Sequence, residues 1–256
     1  SAFPFRRWPS KWLWVGGLLA ALLYVFVYYQ FVTPFSFRWK SYYGEPVYPD
    51  GFEVRGIDVS HHQGKIDWER LRNARINGVP VSFVIIKATE GLSLADECFQ
   101  RNFMQARRNE IVRGAYHYFK PAVDARRQAH FFLQTAALEP GDLPPVLDVE
   151  EVGGLTTENL RKSVKTWLDI VEREYNVKPM IYTGRRFKDD YLYGKEFEKY
   201  PLWLAHYYTK EMEYKGKWVI WQHTDVGEVD GIKGRVDCDI FNGSAADMDS
   251  ILIKEQ

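Results

Sequence analysis

From Val54 onward the chain alternates short β-rich apolar runs with longer stretches of helical periodicity, and this alternation limits the fold more than any other feature. The runs at 54–60, 81–88, 112–119 and 145–150 predict strands, and the stretches at 67–77, 95–109, 125–137 and 157–175 predict the helices that follow them. Four more strand-like runs come at 179–183, 202–207, 218–224 and 236–241, most of them separated by only short helical candidates. Alternating β and α elements argue for a mainly parallel sheet, and eight strands in about 190 residues argue for an α/β fold closed into a single barrel. The weak helices of the second half predict an irregular or partly antiparallel closure. A doubly wound open sheet is the alternative.

The first fifty residues read differently. No charged residue occurs from Trp12 to Phe37, and 12–32 is long enough to cross a bilayer as a helix, which takes about 20 residues. A cleaved signal would have an apolar region of only about 7–15 residues and a small-x-small site, and no such site follows Val25. Arg6, Arg7 and Lys11 precede the run and Arg38 and Lys40 follow it, so the charge bias weakly places the short N-terminus in the cytoplasm. The prediction is a cytoplasmic segment over 1–11, a single transmembrane helix over 12–32, a linker over 33–52 and one barrel domain over 53–256. The linker reading rests on Pro46, Pro49 and Gly51 among tyrosines.

Several function classes lack a starting point. Lys plus Arg and Asp plus Glu both total 34, and without a sustained basic run nucleic acid is not an expected partner. There is no Gly-x-Ser-x-Gly elbow, no Walker loop and no Gly-x-Gly-x-x-Gly. The two cysteines, Cys98 and Cys238, cannot build a disulfide framework, although a single bridge between them stays open.

Reactive groups in a parallel barrel sit at the C-terminal ends of strands. Acids gather there: Asp58 on the first strand, Asp148 and Glu150 on the fourth, Asp237 and Asp239 on the eighth, with Lys87 and Glu90 where the second strand turns. Strand side chains alternate, so Asp148 and Glu150 point the same way, about 6–7 Å apart, while Leu147 and Val149 face the other side. Two carboxylates held that close in a partly dry site cannot ionise independently, which leaves a protonated acid available near neutral pH, as glycoside cleavage requires. The same acids, with Asp58 and Asp237, also suit a divalent cation, but no histidines stand at matching strand ends in a ligand spacing, so neither metal nor cofactor is expected. His117 alternates with Tyr116 and Tyr118 and so points away from them, as a packed histidine would.

Taken in order, these segments resemble glycoside hydrolase family 25, the muramidases that cut the glycan chain of peptidoglycan. The resemblance covers nearly all of 54–243. It rests on Gly56-Ile57-Asp58-Val59-Ser60, Ile66-Asp67-Trp68, Lys87-Ala88-Thr89-Glu90-Gly91, Gly114-Ala115-Tyr116-His117-Tyr118-Phe119, Leu147-Asp148-Val149-Glu150, Ile181-Tyr182-Thr183, Leu202-Trp203-Leu204-Ala205, Trp221-Gln222 and Val236-Asp237. It implies an irregular β/α barrel, in keeping with the expectation read from the alternation, and a monomeric catalytic domain facing peptidoglycan outside the inner membrane of a bacterial envelope. It implies Glu150 as general acid and Asp148 as the group that supports the substrate's N-acetyl arm, with Asp58 and Asp237 lining the groove. Tyr116, Tyr118, Tyr182, Trp203 and Gln222 become sugar-contact candidates. At Asp239 the resemblance leads one to expect Asn, so this chain carries an extra carboxyl there. A wall-binding module without turnover and a chitin-directed hydrolase are the competing expectations.

Overall fold

The computed structural model describes residues 16–23 and 46–255. The chain divides into two compact units, Ser1–Glu45 and Pro46–Gln256. In the first, residues 16–23 are helical and exposed, and the rest of the expected span over 12–32 lies outside the described residues. Among the described residues no helix is long and apolar enough to cross a membrane.

The second unit is a closed eight-stranded barrel. Strands β1 (Val54–Val59), β3 (Val79–Glu90), β5 (Val112–Tyr118), β6 (Val146–Asp148), β7 (Met180–Gly184), β8 (Leu202–Ala205) and β9 (Ile220–Gly227) run parallel in that order. Strand β10 (Val236–Phe241) returns antiparallel to both β9 and β1 and closes the ring. The expected partly antiparallel closure is therefore what forms, and the open sheet is not. Two short strands, β2 (Arg75–Ile76) and β4 (Leu94–Ala95), hang on the ends of β3.

These two short strands also account for the largest differences from the expected elements. Helix α1 (Trp68–Asn73) stops well before residue 77, because Asn77 and Gly78 both take positive φ, 49° and 79°, and turn the chain into a β2–β3 hairpin. Helix α2 (Phe99–Arg108) starts four residues later than expected, because β4 first folds back on β3. Helices α3 (Ala125–Ala136) and α4 (Thr157–Tyr175) form where the periodicity predicts them. Asp124 and Thr156 cap them by accepting from Arg127 N and Asn159 N. The α4 residues Leu160, Val164, Trp167, Leu168 and Val171 are all fully buried and form one stripe against the barrel. Short helices α5 (Arg185–Tyr191) and α6 (Lys195–Glu198) follow β7, and α7 (Ala245–Ile251) follows β10.

Period-two alternation sorts the strand residues into two layers. At the end of the barrel where the parallel strands start and the antiparallel β10 finishes, the inward positions carry Val54, Phe83, Ile85, Val146, Met180, Ile220 and Phe241, which form one buried cluster joined by Met248 of α7. Phe83 fits the barrel axis only because Gly56 lacks a side chain: a Cβ there would stand 2.5 Å from the Phe83 ring. Outward positions meet the helices, except along the antiparallel wall. There residues 46–52 lie over the sheet instead, with Val47 O accepting from His223 Nδ1 at 2.8 Å, Tyr48 edge-on to His223, Phe52 against Trp221, and Pro49 O accepting from buried Arg55. Cys98 and Cys238 are both buried and free, so the bridge left open by the sequence does not form.

Candidate active site

At the C-terminal end of the barrel the inward positions turn polar and surround a cleft of about 270 Å³. All nine residues singled out by the sequence meet there: Asp58 from β1, Tyr116 and Tyr118 from β5, Asp148 and Glu150 from the end of β6, Tyr182 from β7, Trp203 from β8, Gln222 from β9 and Asp237 from β10. Strand β6 ends at Asp148, yet the backbone beyond it stays pinned. Val149 N donates to Tyr182 O at 2.9 Å and Thr183 Oγ1 donates to Val149 O at 2.6 Å, which fixes the backbone immediately before Glu150.

Asp148 is buried and its Oδ1 has no hydrogen-bond partner, whereas Glu150 opens to solvent at the mouth of the cleft. Burial, followed by the charge of Glu150, pushes Asp148 well above the usual carboxylate range. Desolvation by the cleft walls also raises Glu150, against an opposing hydrogen bond from Asp148. Across the cleft, Asp58 and Asp237 are register partners on β1 and β10. Both are pushed well up by burial, Asp58 next by the charge of Asp239 and Asp237 next by that of Asp58. Asp239 is fully buried. Its Oδ1 accepts from Trp203 Nε1 at 2.8 Å, its Oδ2 has no partner, and burial and Asp237 raise it well above the ordinary range. Five acids thus share one low-dielectric end of the barrel, and such a cluster holds protons that isolated carboxyls would lose.

Gln222 has the polar reason its apolar neighbours called for. Its Nε2 donates to Asp58 Oδ2 at 2.5 Å, and its Oε1 accepts from Tyr182 OH at 2.7 Å and from Tyr207 OH. Trp203 is 2 % exposed, lies edge-on to Tyr182 and spends its N–H on Asp239, so it forms a supporting wall with little face open to a ligand. Tyr116 and Tyr118 are partly exposed. The Nζ atoms of Lys87 and Lys120 lie over the Tyr118 ring, 5.1 and 4.5 Å from its centroid, and both lysines pair with Glu90. His117 points the other way, as expected. It is fully buried between Thr89 and Gln128, and burial lowers its pKa to about 4.

Sequence reasoning missed Tyr207 as a site residue, and it left Lys87 among the strand-end charges without giving it a role in the cleft. The signal for Tyr207 was available in the run at 202–207, where Trp203, Ala205 and Tyr207 alternate onto one face. Beyond Glu150 the cleft widens into an open hollow of about 930 Å³ between α5 and the segment after β8. Among the described residues no group of three or more His, Cys, Asp or Glu side chains is disposed to hold a metal ion.

Comparison with known proteins agrees with this geometry. Residues 57–232 match the profile of Glycosyl hydrolases family 25. The uncharacterized protein YegX of Escherichia coli strain K12 is 47% identical over 210 residues, 81% of this chain and 77% of that protein. Lysozyme M1 of Streptomyces globisporus is 34% identical over 212 residues, 75% of this chain and 69% of that protein. The crystal structure of the bacterial lysozyme from Streptomyces coelicolor superimposes with a TM-score of 0.71 at 31% identity, covering 79% of this chain and 98% of that one.

Proposed function

The chain belongs to glycosyl hydrolase family 25, the lysozyme and muramidase family of peptidoglycan-cleaving glycosidases, and from that premise we propose that it cuts the β-1,4 bond between N-acetylmuramic acid and N-acetylglucosamine with Glu150 as the general acid. Glu150 stands at the mouth of the cleft with a raised pKa, where it can hold a proton for the glycosidic oxygen. Asp148 takes the N–H of the 2-acetamido group and turns the carbonyl oxygen of that group toward the anomeric carbon. The carbonyl oxygen attacks as the glycosidic bond breaks, and the leaving oxygen takes the proton of Glu150. Water then opens the cyclic intermediate, returning its proton to Glu150. The observation that carries this reading is the buried, unpartnered Asp148 Oδ1 beside a half-open Glu150: an acceptor stripped of water gains most from an N–H brought by the substrate. Asp58 and Asp237 line the opposite wall, Gln222, itself held by Tyr182 OH, donates to Asp58, and Tyr116 and Tyr118 offer faces to sugar rings.

We further propose that residues 12–32 tether the enzyme to the inner membrane with the barrel outside, a reading supported by the uncharged apolar run. Fractionation checks it: recovery in an alkaline carbonate wash would sink the tether.

The test of activity is digestion of purified peptidoglycan by the 256-residue chain, beside Glu150→Gln. New reducing ends at muramic acid, absent with the variant, are the expected result. Reducing ends at N-acetylglucosamine would overturn the bond assignment, and release undiminished in the variant would overturn the acid. Sedimentation with the wall without any release would make the chain a binding module, and turnover confined to chitin oligosaccharides would reassign the substrate.

A further inference from the structure

Next to the cleft, and joined to it at His62, runs a groove of about 1190 Å³, several times the volume of the cleft itself. Residues 62–70 form one wall, residues 229–233 of the β9–β10 loop form the other, and the later turns of α2 close the far end. Its floor is apolar: Ile66, Trp68 and Val229 are buried there. The walls are fixed to each other. Asp67 N donates to Gly231 O at 2.8 Å, and Gly231, at φ +92°, sits so close to α1 that a Cβ would stand 2.6 Å from Asp67 O. The groove is therefore preformed.

The rim carries a surplus of unneutralised cations. Arg70 is paired with Asp230, and Arg101 is engaged by Gly64 O at 2.8 Å. Lys65, Arg108 and Lys233 make no ion pair among the described residues, against two rim acids without a cation, Asp67, whose side chain accepts from Arg70 N, and Glu69. In a chain whose formal charge is zero, this surplus is not the by-product of a basic protein.

We infer that this groove seats the peptide carried on the lactyl ether of the muramic acid being processed, its carboxylates on Lys65, Arg108 and Lys233 and its small methyl side chains on the apolar floor. The inference rests on the muramidase reading, because it needs a glycan in the cleft whose peptide substituent leaves past His62. A peptide of alanines and diacids matches the groove in both respects: it is anionic, and its side chains are short enough to reach Ile66 and Trp68.

The test compares two substrates: glycan strands bearing their peptides, and the same strands stripped by an amidase. The parent chain should cleave the peptide-bearing strands with the higher kcat/KM. The triple variant Lys65→Gln, Arg108→Gln, Lys233→Gln should bring the ratio of the two kcat/KM values toward one, a change of about three- to tenfold for three rim charges. Raised salt should narrow the ratio in the parent chain alone. Equal kcat/KM values in the parent chain, or a ratio that survives in the variant, would overturn the inference. Retention of Glu150→Gln on the two polymers reads the groove without turnover. Absence of cleavage on both would refute the muramidase reading, while equal retention on both would refute the groove.

Discussion

At one end of the barrel the inward positions hold Val54, Phe83, Ile85, Val146, Met180, Ile220 and Phe241, whereas toward the other end the same strands hold Asp58, Lys87, Asp148, Tyr182, Gln222 and Asp237. Both sets come from one period-two pattern, and both are largely buried. The first set gains by leaving water, roughly 25 cal/mol for each Å² of apolar surface removed. The second loses by it, as the raised pKa values of Asp58, Asp148, Asp237 and Asp239 record. The comparison teaches that the apolar end stabilises a fold within which the acidic end can be held in an unfavourable state.

Four experiments press on that difference. Glu150→Gln should lower reducing-end release from peptidoglycan by about 10²–10⁴-fold, the usual worth of a general acid, while leaving the thermal midpoint close to that of the parent. Phe83→Ala should do the reverse. Denaturant titration should show about 3–5 kcal/mol of lost stability, because Gly56 has no side chain with which to fill the void, while the turnover of molecules still folded changes less.

The third is pH dependence. Asp239 has a folded pKa raised above its ordinary 3.8, so its contribution to stability is fully present below that value and is lost as pH rises through the folded one. Thermal midpoints of Asp239→Asn and the parent should therefore diverge in favour of the variant from about pH 4 toward neutrality, since Asn still offers Trp203 Nε1 an acceptor. His117 and His223, both lowered to about 4, act in the opposite sense and destabilise the fold as pH falls from 6.5 toward 4. They are common to both proteins and cancel in the difference. A gap that does not change with pH would remove Asp239 from the coupled cluster. The smallest effect is expected for Tyr207→Phe. Gln222 keeps its bond from Tyr182, so the loss should be about 1 kcal/mol or less in kcat/KM.

Much of the acidic end was legible because it is a local pattern. Asp148-Val149-Glu150 declares its two faces by alternation alone, and the same rule separates His117 from Tyr116 and Tyr118. Elements whose limits depend on a partner elsewhere were less legible. The early stop of α1 follows from the Asn77-Gly78 turn, and the late start of α2 follows from pairing of Leu94–Ala95 with Thr89 and Glu90. Trp203 read as a sugar platform because an indole at a strand end suits one; only the fold shows its N–H turned to Asp239, on a strand 36 residues away.

The sequence by itself determined that strands and helices alternate, which side of each strand is polar, and that two carboxyls share one strand end, since these depend on neighbours in the chain. The tertiary structure alone decided that β10 closes the ring antiparallel and that Gln222 reaches Asp58 across 164 residues. It also decided that acids from β1, β6 and β10 crowd into one dry end, and that residues 229–233 complete a groove against residues 62–70. The reason is physical: alternation fixes the direction of a side chain, but desolvation, charge coupling and the width of a groove depend on distances through space.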